Sequence, residues 1–473
     1  MTDSSAVVFK EAFQLALKYQ SELPNRACLP QSTYHEMRDL FSEPLPEAGF
    51  DDRETIRLLG SVGDQGLMQM RHPRFFGWVL GASHPVGIAA DWLATAWGQN
   101  SGYGASPTTT ALEEVAASWI LELLDLPRHA TVGFATGATV GNFVALAAAR
   151  GAILRKHNWD PDADGLFGAP EVHVFIGDDA HTSVFSALQY IGFGHDRVIR
   201  VETDSQGRMK SDDLERRVGN RSGPMIIIAQ AGQINTGAFD PFAEIAKIAE
   251  SAGAWLHVDG AFGLWARANP RLKALTEGIE QADSWVTDGH KWLQTPFDTG
   301  YVIVKDANAH KRAMTISASY LPMHQEGDRI PSSLVPELSR RARGVATWAI
   351  VKSLGRKGVA EMVGRHCEVA RRMAARLAME KDVHVLNEVV LNQVIVEFGA
   401  ADKSLESRRE QTQAVIDTVV DSETCFVGGA RWRDRWVMRI SVISQNTSVE
   451  DGNIAVDAMI EAWRQVRGSS SAG

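Results

Sequence analysis

Between Thr131 and Val304, short apolar runs alternate with longer stretches whose apolar residues recur at spacings of three and four. The short runs predict strands over Thr131–Phe134, Val172–Ile176, Met225–Gln230, Trp255–Val258, Ser284–Thr287 and Tyr301–Val304. Among the longer stretches, Val140–Asn158 and Phe242–Ser251 read as helices, the second ended by Gly253 at its C′ position. Ser106 and Pro107 form a helix start, followed by an amphipathic stripe of Leu112, Val115, Ala116, Trp119, Ile120, Leu123 and Leu124. Strands alternating with helices predict an α/β fold: a mostly parallel sheet with helices on both faces. Ligands of such sheets bind outside the carboxyl ends of the strands. Upstream, the chain reads as helices joined by turns at Pro24, Pro30, Pro44 and Pro46. Beyond Arg343, a long helix over Gly344–Met379 leads to strands at Leu391–Phe398 and Trp436–Val442 and a closing helix at Val449–Val466. Three parts are expected: an N-terminal helical segment (1–75), a large α/β domain (76–345) and a small C-terminal α+β domain (346–473).

Composition narrows the classes. A chain of 473 residues exceeds one compact core. A net charge of −10 and a pI near 5.8 argue against nucleic-acid or anionic-membrane partners. The longest apolar stretch, Phe143 to Leu154, is interrupted by Arg150 and is too short to span a bilayer. The N-terminus lacks the basic and apolar regions of a secretory signal. Cys28, Cys367 and Cys425 form no CxxC pair and no disulfide framework, and the cytoplasm is the expected compartment. No metal site is expected.

Four groups of unusual residues fall at predicted strand ends. Gly137, Ala138 and Thr139 open a helix directly after a strand, and such an N-terminus offers free N–H groups to a phosphate. His181 lies on the loop after Val172–Ile176, where a histidine can stack on a flat cofactor or move a proton. Asp259 ends an apolar strand, where a carboxylate needs a partner. Lys291 stands between His290 and Trp292 after Ser284–Thr287, a poor place for a solvated charge and a good one for an imine-forming amine. Singly, each has a plainer reading: a steric glycine turn, a capping histidine, a structural ion pair. Together they match what pyridoxal-5′-phosphate (PLP) chemistry requires, namely a lysine, an acid for the pyridine nitrogen, a phosphate cradle and a partner for the ring face. Their order along the chain is that of fold-type I PLP enzymes.

Further segments carry a closer likeness. They are His72-Pro73-Arg74-Phe75-Phe76-Gly77-Trp78, Ser106-Pro107 with Glu113, Asp179-Ala180-His181-Thr182-Ser183, Gly237-Ala238-Phe239-Asp240-Pro241, His257-Val258-Asp259-Gly260-Ala261, Ala282-Asp283-Ser284 before His290-Lys291-Trp292, and Arg340-Arg341-Ala342-Arg343. Over about residues 70–465 the chain resembles the group II PLP-dependent decarboxylases, which include the aromatic-L-amino-acid and glutamate decarboxylases. The resemblance implies that Lys291 carries the cofactor as a Schiff base and that Asp259 pairs with the pyridine nitrogen. It implies that His181 stacks on the ring and helps orient the substrate carboxylate. Ala138, Thr139, Asp288 and His290 would contact the phosphate, and Ala261 the other ring face. It implies a homodimer with the active site at the interface, where residues near Ser101–Tyr103 would face the neighbour's pocket.

The expected reaction is α-decarboxylation of an L-amino acid to the amine and CO₂, with catalytic residues Lys291, His181 and Asp259. Trp78 and Tyr103 would line the substrate pocket and favour an aromatic side chain; Arg74 suits either an acidic substrate or a structural role. The chain also departs from the family. Asp288 stands where relatives often carry Asn, Gln233 and Ile234 follow Gly232 where threonines are common, and Pro331 or Ser332 holds the place of a loop tyrosine thought to return the proton. Tyr320 lies well upstream of that place, so the candidate donors are His181, which is favoured, Lys291, a histidine such as His324, or a lid residue of the other subunit. Without that tyrosine, a decarboxylation-dependent aldehyde synthase or a transaminase-type reaction is the alternative. A PLP-binding protein with little turnover is a second.

Overall fold

Strand Met225–Gln230 shows why a sheet forms at the centre of this chain. Its side chains enter opposite cores in turn, Ile226 and Ile228 into one and Ile227 and Ala229 into the other. A run apolar at every position belongs in a sheet covered on both faces, and each fully buried Ile contributes roughly 1.5–3 kcal/mol. The computed structural model describes residues 3–102, 104, 106–315 and 329–470. Tyr103, Tyr320 and His324 lie outside the described residues.

The large sheet has seven strands: β1 (Thr131–Ala135), β2 (His173–Gly177), β3 (Ile199–Val201), β4 (Met225–Gln230), β5 (Trp255–Asp259), β6 (Ser284–Asp288) and β7 (Gly300–Val304), in the order β1-β7-β6-β5-β4-β2-β3. β7 alone runs opposite to the other six strands, so the sheet is mostly parallel as expected. Helices pack on both faces. The register sets Gln230 beside Asp259 and Asp288 beside Gly300, which brings the carboxyl ends of β4, β5 and β6 together. Gly253 ends helix Phe242–Ala252 with φ 63°, the left-handed C-cap expected there.

A second, antiparallel sheet comprises β8 (Val383–Val385), β9 (Gln393–Phe398), β10 (Gly428–Trp432) and β11 (Arg435–Ser441), in the order β10-β11-β9-β8. Helices Leu405–Asp421 and Val449–Ser470 pack with it around a separate core. Helix Arg343–Leu377 links the two cores: Ile350 and Val363 belong to the large one, Val369 and Met373 to the small one, with a break at Gly355 (φ 61°). Phe76 is also buried in the small core, and its N–H donates to Phe426 O at 2.8 Å.

The sequence reading missed β3, β8 and β10. β3 and β8 have three residues each, too few to show a period. β10 opens on Gly428 and Gly429, residues that strands disfavour, and is held by its pairing with β11. Among the described residues no helix is long and apolar enough to cross a membrane.

Candidate active site

Lys291 follows β6 in a wide helical turn, Gly289–Leu293, that ends at Gln294 with φ 62°. The turn is pinned from outside. Gly81 N–H donates to His290 O at 3.0 Å, and a Cβ on Gly81 would sit 2.2 Å from the Lys291 carbonyl oxygen. The Trp292 indole N–H donates to His366 Nδ1 at 3.0 Å, and burial pushes that imidazole's pKa down to about 3, so it accepts. The Gln294 amide donates to the carbonyls of Lys291, Trp292 and Ile443 and accepts from the N–H groups of Ala82 and Gln445. One buried side chain thus clasps the lysine turn, the 78–84 segment and the small domain.

From this turn Lys291 reaches a cleft of about 320 Å³ at the carboxyl ends of the central strands. Ala138, Thr139, His181, Asp259, Ala261, Asp288 and His290 share its lining, so it gathers the predicted cofactor residues. Gln230, Gly232, Ile234 and Phe262 complete much of the wall.

Three charged groups define its electrostatics. Lys291 Nζ lies 3.0 Å from Asp288 Oδ2, a pair whose carboxylate is 3% exposed and whose amine is 18% exposed. Asp288 Oδ1 also accepts the Ala138 N–H at 2.6 Å, so this acid caps the helix Ala138–Lys156. Asp259, 4% exposed, accepts from Ala261 N–H and from the Asn142 side-chain amide, both at 3.2 Å. Among the described residues no cation forms an ion pair with it.

The histidines differ in setting. His181 caps the helix Thr182–Tyr190: its Nδ1 accepts the Ser183 N–H at 3.2 Å, which leaves the proton of the neutral ring on Nε2. It keeps an accessible face, yet the protein around it lowers its pKa by desolvation, against an opposing pull from Asp259. His290 is buried, and desolvation likewise lowers its pKa; its Nδ1 accepts the Thr299 N–H at 3.2 Å.

Gly137 and Gly300 let β7 pass close to the helix start: a Cβ on Gly300 would come 2.5 Å from Gly137 Cα. These groups fit PLP. A carboxylate without a cation suits a protonated pyridine nitrogen, the lysine amine suits the aldehyde carbon, and a helix N-terminus suits the phosphate. Asp288 at that N-terminus is the ill-matched part.

Other predicted residues sit elsewhere. Trp78 packs on Phe75 and Phe426, with ring centroids 5.7 and 5.9 Å away, and is not among the cleft's lining residues. Arg74 is committed to Thr424 O at 2.8 Å and Asp451 at 3.3 Å. Glu113 is buried in an ion cluster with Arg340 and with Arg329 (3.0 Å). Sequence reasoning missed Asn142, Gln294 and Arg439. Asn142 left a faint signal, a polar residue in a run of small and apolar ones, four positions after Ala138 and so on the same helix face. Arg439, half-buried on β11, has no ion pair or side-chain hydrogen bond among the described residues, and it is near enough to lower the His181 pKa.

Residues 57–398 match the pyridoxal-dependent decarboxylase conserved domain. An aromatic-L-amino-acid decarboxylase of Bacillus atrophaeus is 26% identical over 458 residues, covering 93% of this chain and 92% of that one. An acidic amino acid decarboxylase of Bos taurus is 29% identical over 367 residues, covering 75% and 68%. The crystal structure of Oryza sativa TDC with PLP and tryptamine superposes with a TM-score of 0.92 at 21% identity, covering 98% of both chains. That of mouse CSAD superposes with a TM-score of 0.90 at 19% identity. With the matched domain spanning most of its length, the chain belongs to the pyridoxal-dependent decarboxylase family and is a PLP-dependent amino-acid decarboxylase.

Proposed function

We propose that this enzyme decarboxylates aromatic L-amino acids, with Lys291, Asp259 and His181 as its catalytic residues. The observation that carries the reading is the cleft shared by the Lys291 amine and the buried carboxylate of Asp259, which no cation among the described residues pairs with. When bound, the cofactor supplies the electron sink for CO₂ loss. Lys291 would hold the cofactor and later release the product. Asp259 would keep the ring nitrogen protonated. Ala138, Thr139 and His290 would hold the phosphate, and Ala261 would pack on the ring. Arg439 and His181 would orient the substrate α-carboxylate, the group shared by all amino acids. A doubly protonated His181, its Nδ1–H donating to Ser183 Oγ at 2.8 Å, would then deliver a proton from Nε2 and return to the neutral ring.

Side-chain selection falls to the rest of the wall. Among the described lining residues there is no arginine to pair with an acidic side chain, whereas Ile234 and Phe262 offer apolar surface. Relatives named for aromatic substrates align along almost the whole chain. Incubating the holoenzyme with aromatic and acidic L-amino acids, while measuring CO₂, amine, aldehyde and peroxide, tests this. CO₂ and amine from aromatic substrates are expected; turnover of glutamate or aspartate alone would refute the substrate assignment.

Aldehyde formation is the second reading. It is favoured by Pro331 and Ser332 at the place of the loop tyrosine and by a 24% identical phenylacetaldehyde synthase of Arabidopsis thaliana. His181→Gln is expected to slow amine formation and divert product to aldehyde. An unchanged product ratio would exclude His181 as donor.

The reading includes a cytoplasmic homodimer. Its three cysteines are free and buried. Phe9, Phe13, Leu17, Leu58, Leu59 and Trp92 are exposed on the N-terminal helices, apolar side chains that a second copy of the chain would cover. Light scattering during size-exclusion chromatography is expected to give twice the chain mass of 51.7 kDa. An active monomer would contradict the assignment.

A further inference from the structure

We infer that Trp255, Ser284, His257 and Asn142 form a one-way chain of hydrogen bonds that sets the proton-accepting state of Asp259, which makes His257 and Asn142 positioning residues for the cofactor's ring nitrogen. The inference rests on the reading that Asp259 faces that nitrogen.

The chain runs through the interior beneath the cleft. The Trp255 indole nitrogen lies 2.8 Å from Ser284 Oγ, and Ser284 Oγ lies 2.9 Å from His257 Nδ1. His257 Nε2 lies 2.8 Å from Asn142 Oδ1, and Asn142 Nδ2 lies 3.2 Å from Asp259 Oδ2. Trp255, Ser284, His257, Asn142 and Asp259 are all buried, so exchange of partners with bulk water is not open to them.

Both ends fix the direction. An indole N–H can only donate and a carboxylate can only accept. Asp259 as a carboxylate therefore takes the Asn142 amide N–H, which turns Asn142 Oδ1 toward His257 and requires a proton on Nε2. Burial pushes the His257 pKa down to about 3, so the ring carries one proton, and Nδ1 is left to accept from the Ser284 hydroxyl. Ser284 in turn accepts from Trp255. With Asp259 as a carboxylate, each link of the chain pairs one donor with one acceptor.

The consequence lies at the cleft end. A donor on Asp259 Oδ2 stabilises the charged carboxylate and holds a shared proton on the ring-nitrogen side. Were Asn142 free to flip, its Oδ1 would face the carboxylate, two acceptors in contact, and the proton would shift toward Asp259. His257 prevents the flip. Three of the four supporting residues come from β5 and β6, and the fourth from the helix that opens at the cradle. The sheet that places Lys291 therefore also tunes Asp259.

The test uses holoenzyme loaded with PLP labelled at the ring nitrogen and read by nitrogen NMR, beside steady-state kinetics. Asn142→Leu and His257→Phe are expected to move the ring-nitrogen signal toward the unprotonated position. They should lower kcat about tenfold or more, with KM changed by less than about threefold. His257→Gln is expected to restore both readouts, since its amide can accept from Ser284 and donate to Asn142. Should Asn142→Leu not fold, Asn142→Ser, too short to span from His257 to Asp259, carries the same test. A wild-type signal in the Asn142 variant, with a shifted one in Asp259→Ala, overturns the chain and leaves the role of Asp259 standing. An unshifted signal in Asp259→Ala overturns that role itself.

Discussion

Lys291→Ala is expected to abolish cofactor fixation by borohydride and to lower decarboxylation by roughly a thousandfold or more. The same change is expected to destabilise the cofactor-free protein by about 2 kcal/mol, because it strips a buried carboxylate of its cation. Asp288 Oδ2 is 3.0 Å from Lys291 Nζ, and its other oxygen accepts the Ala138 N–H. With the lysine gone, that N–H and a His290 ring whose pKa desolvation lowers are poor compensation. The double variant Lys291→Ala/Asp288→Asn is expected to recover most of the stability and none of the activity. Denaturant unfolding of the four cofactor-free proteins gives the coupling directly. If Lys291→Ala still carries borohydride-fixed cofactor on another lysine, the central assignment fails.

Asp259→Ala is expected to weaken cofactor retention and to lower kcat roughly a hundredfold or more, since a desolvated charge-assisted hydrogen bond is lost where electrons must be received. Asp259→Asn keeps the shape and removes the charge. Turnover near wild type in Asp259→Asn would mean that the ring nitrogen need not be protonated in this enzyme. The substitution has a second readout. His181 has its pKa lowered chiefly by desolvation, and Asp259 is the largest opposing influence. Removing that negative charge takes away stabilisation of the imidazolium, so the His181 pKa is expected to fall further in Asp259→Ala. The neutral, Nε2-protonated ring then persists to lower pH than in the wild type. Proton NMR of His181 across an acid titration checks the sign; an unchanged pKa would place Asp259 outside the electrostatic reach of His181.

The fate of Asp288 illustrates how far residue types alone carry. The family resemblance assigns it to the phosphate cradle, and it does line the cleft. There it caps the helix N-terminus and pairs with the lysine, so both of its oxygens are engaged. That one carboxylate takes both places is decided by the tertiary structure, which brings Ala138 and Lys291 to the same acid.

The central sheet and the residues at its rim are legible in the order of residues alone. β4, β5 and β6 are apolar at almost every position, and burial on both faces leaves such strands little choice of environment. Lys291, Asp259 and His181 stand out because they interrupt or follow those runs at the carboxyl ends, where a parallel sheet leaves its crevice. What lay beyond reach depends on contacts between residues far apart in the chain. Asn142 meets Asp259 across 117 positions, Gln294 meets Ile443 across 149, and Trp78 settles on Phe426 rather than in the cleft. Edge strands of three residues, and β10 with its paired glycines, likewise owe their form to partners instead of to local pattern. Periodicity reports the environment a segment needs. It does not report which side chain will supply the partner, because that choice is made by packing once the sheets and helices have closed on one another.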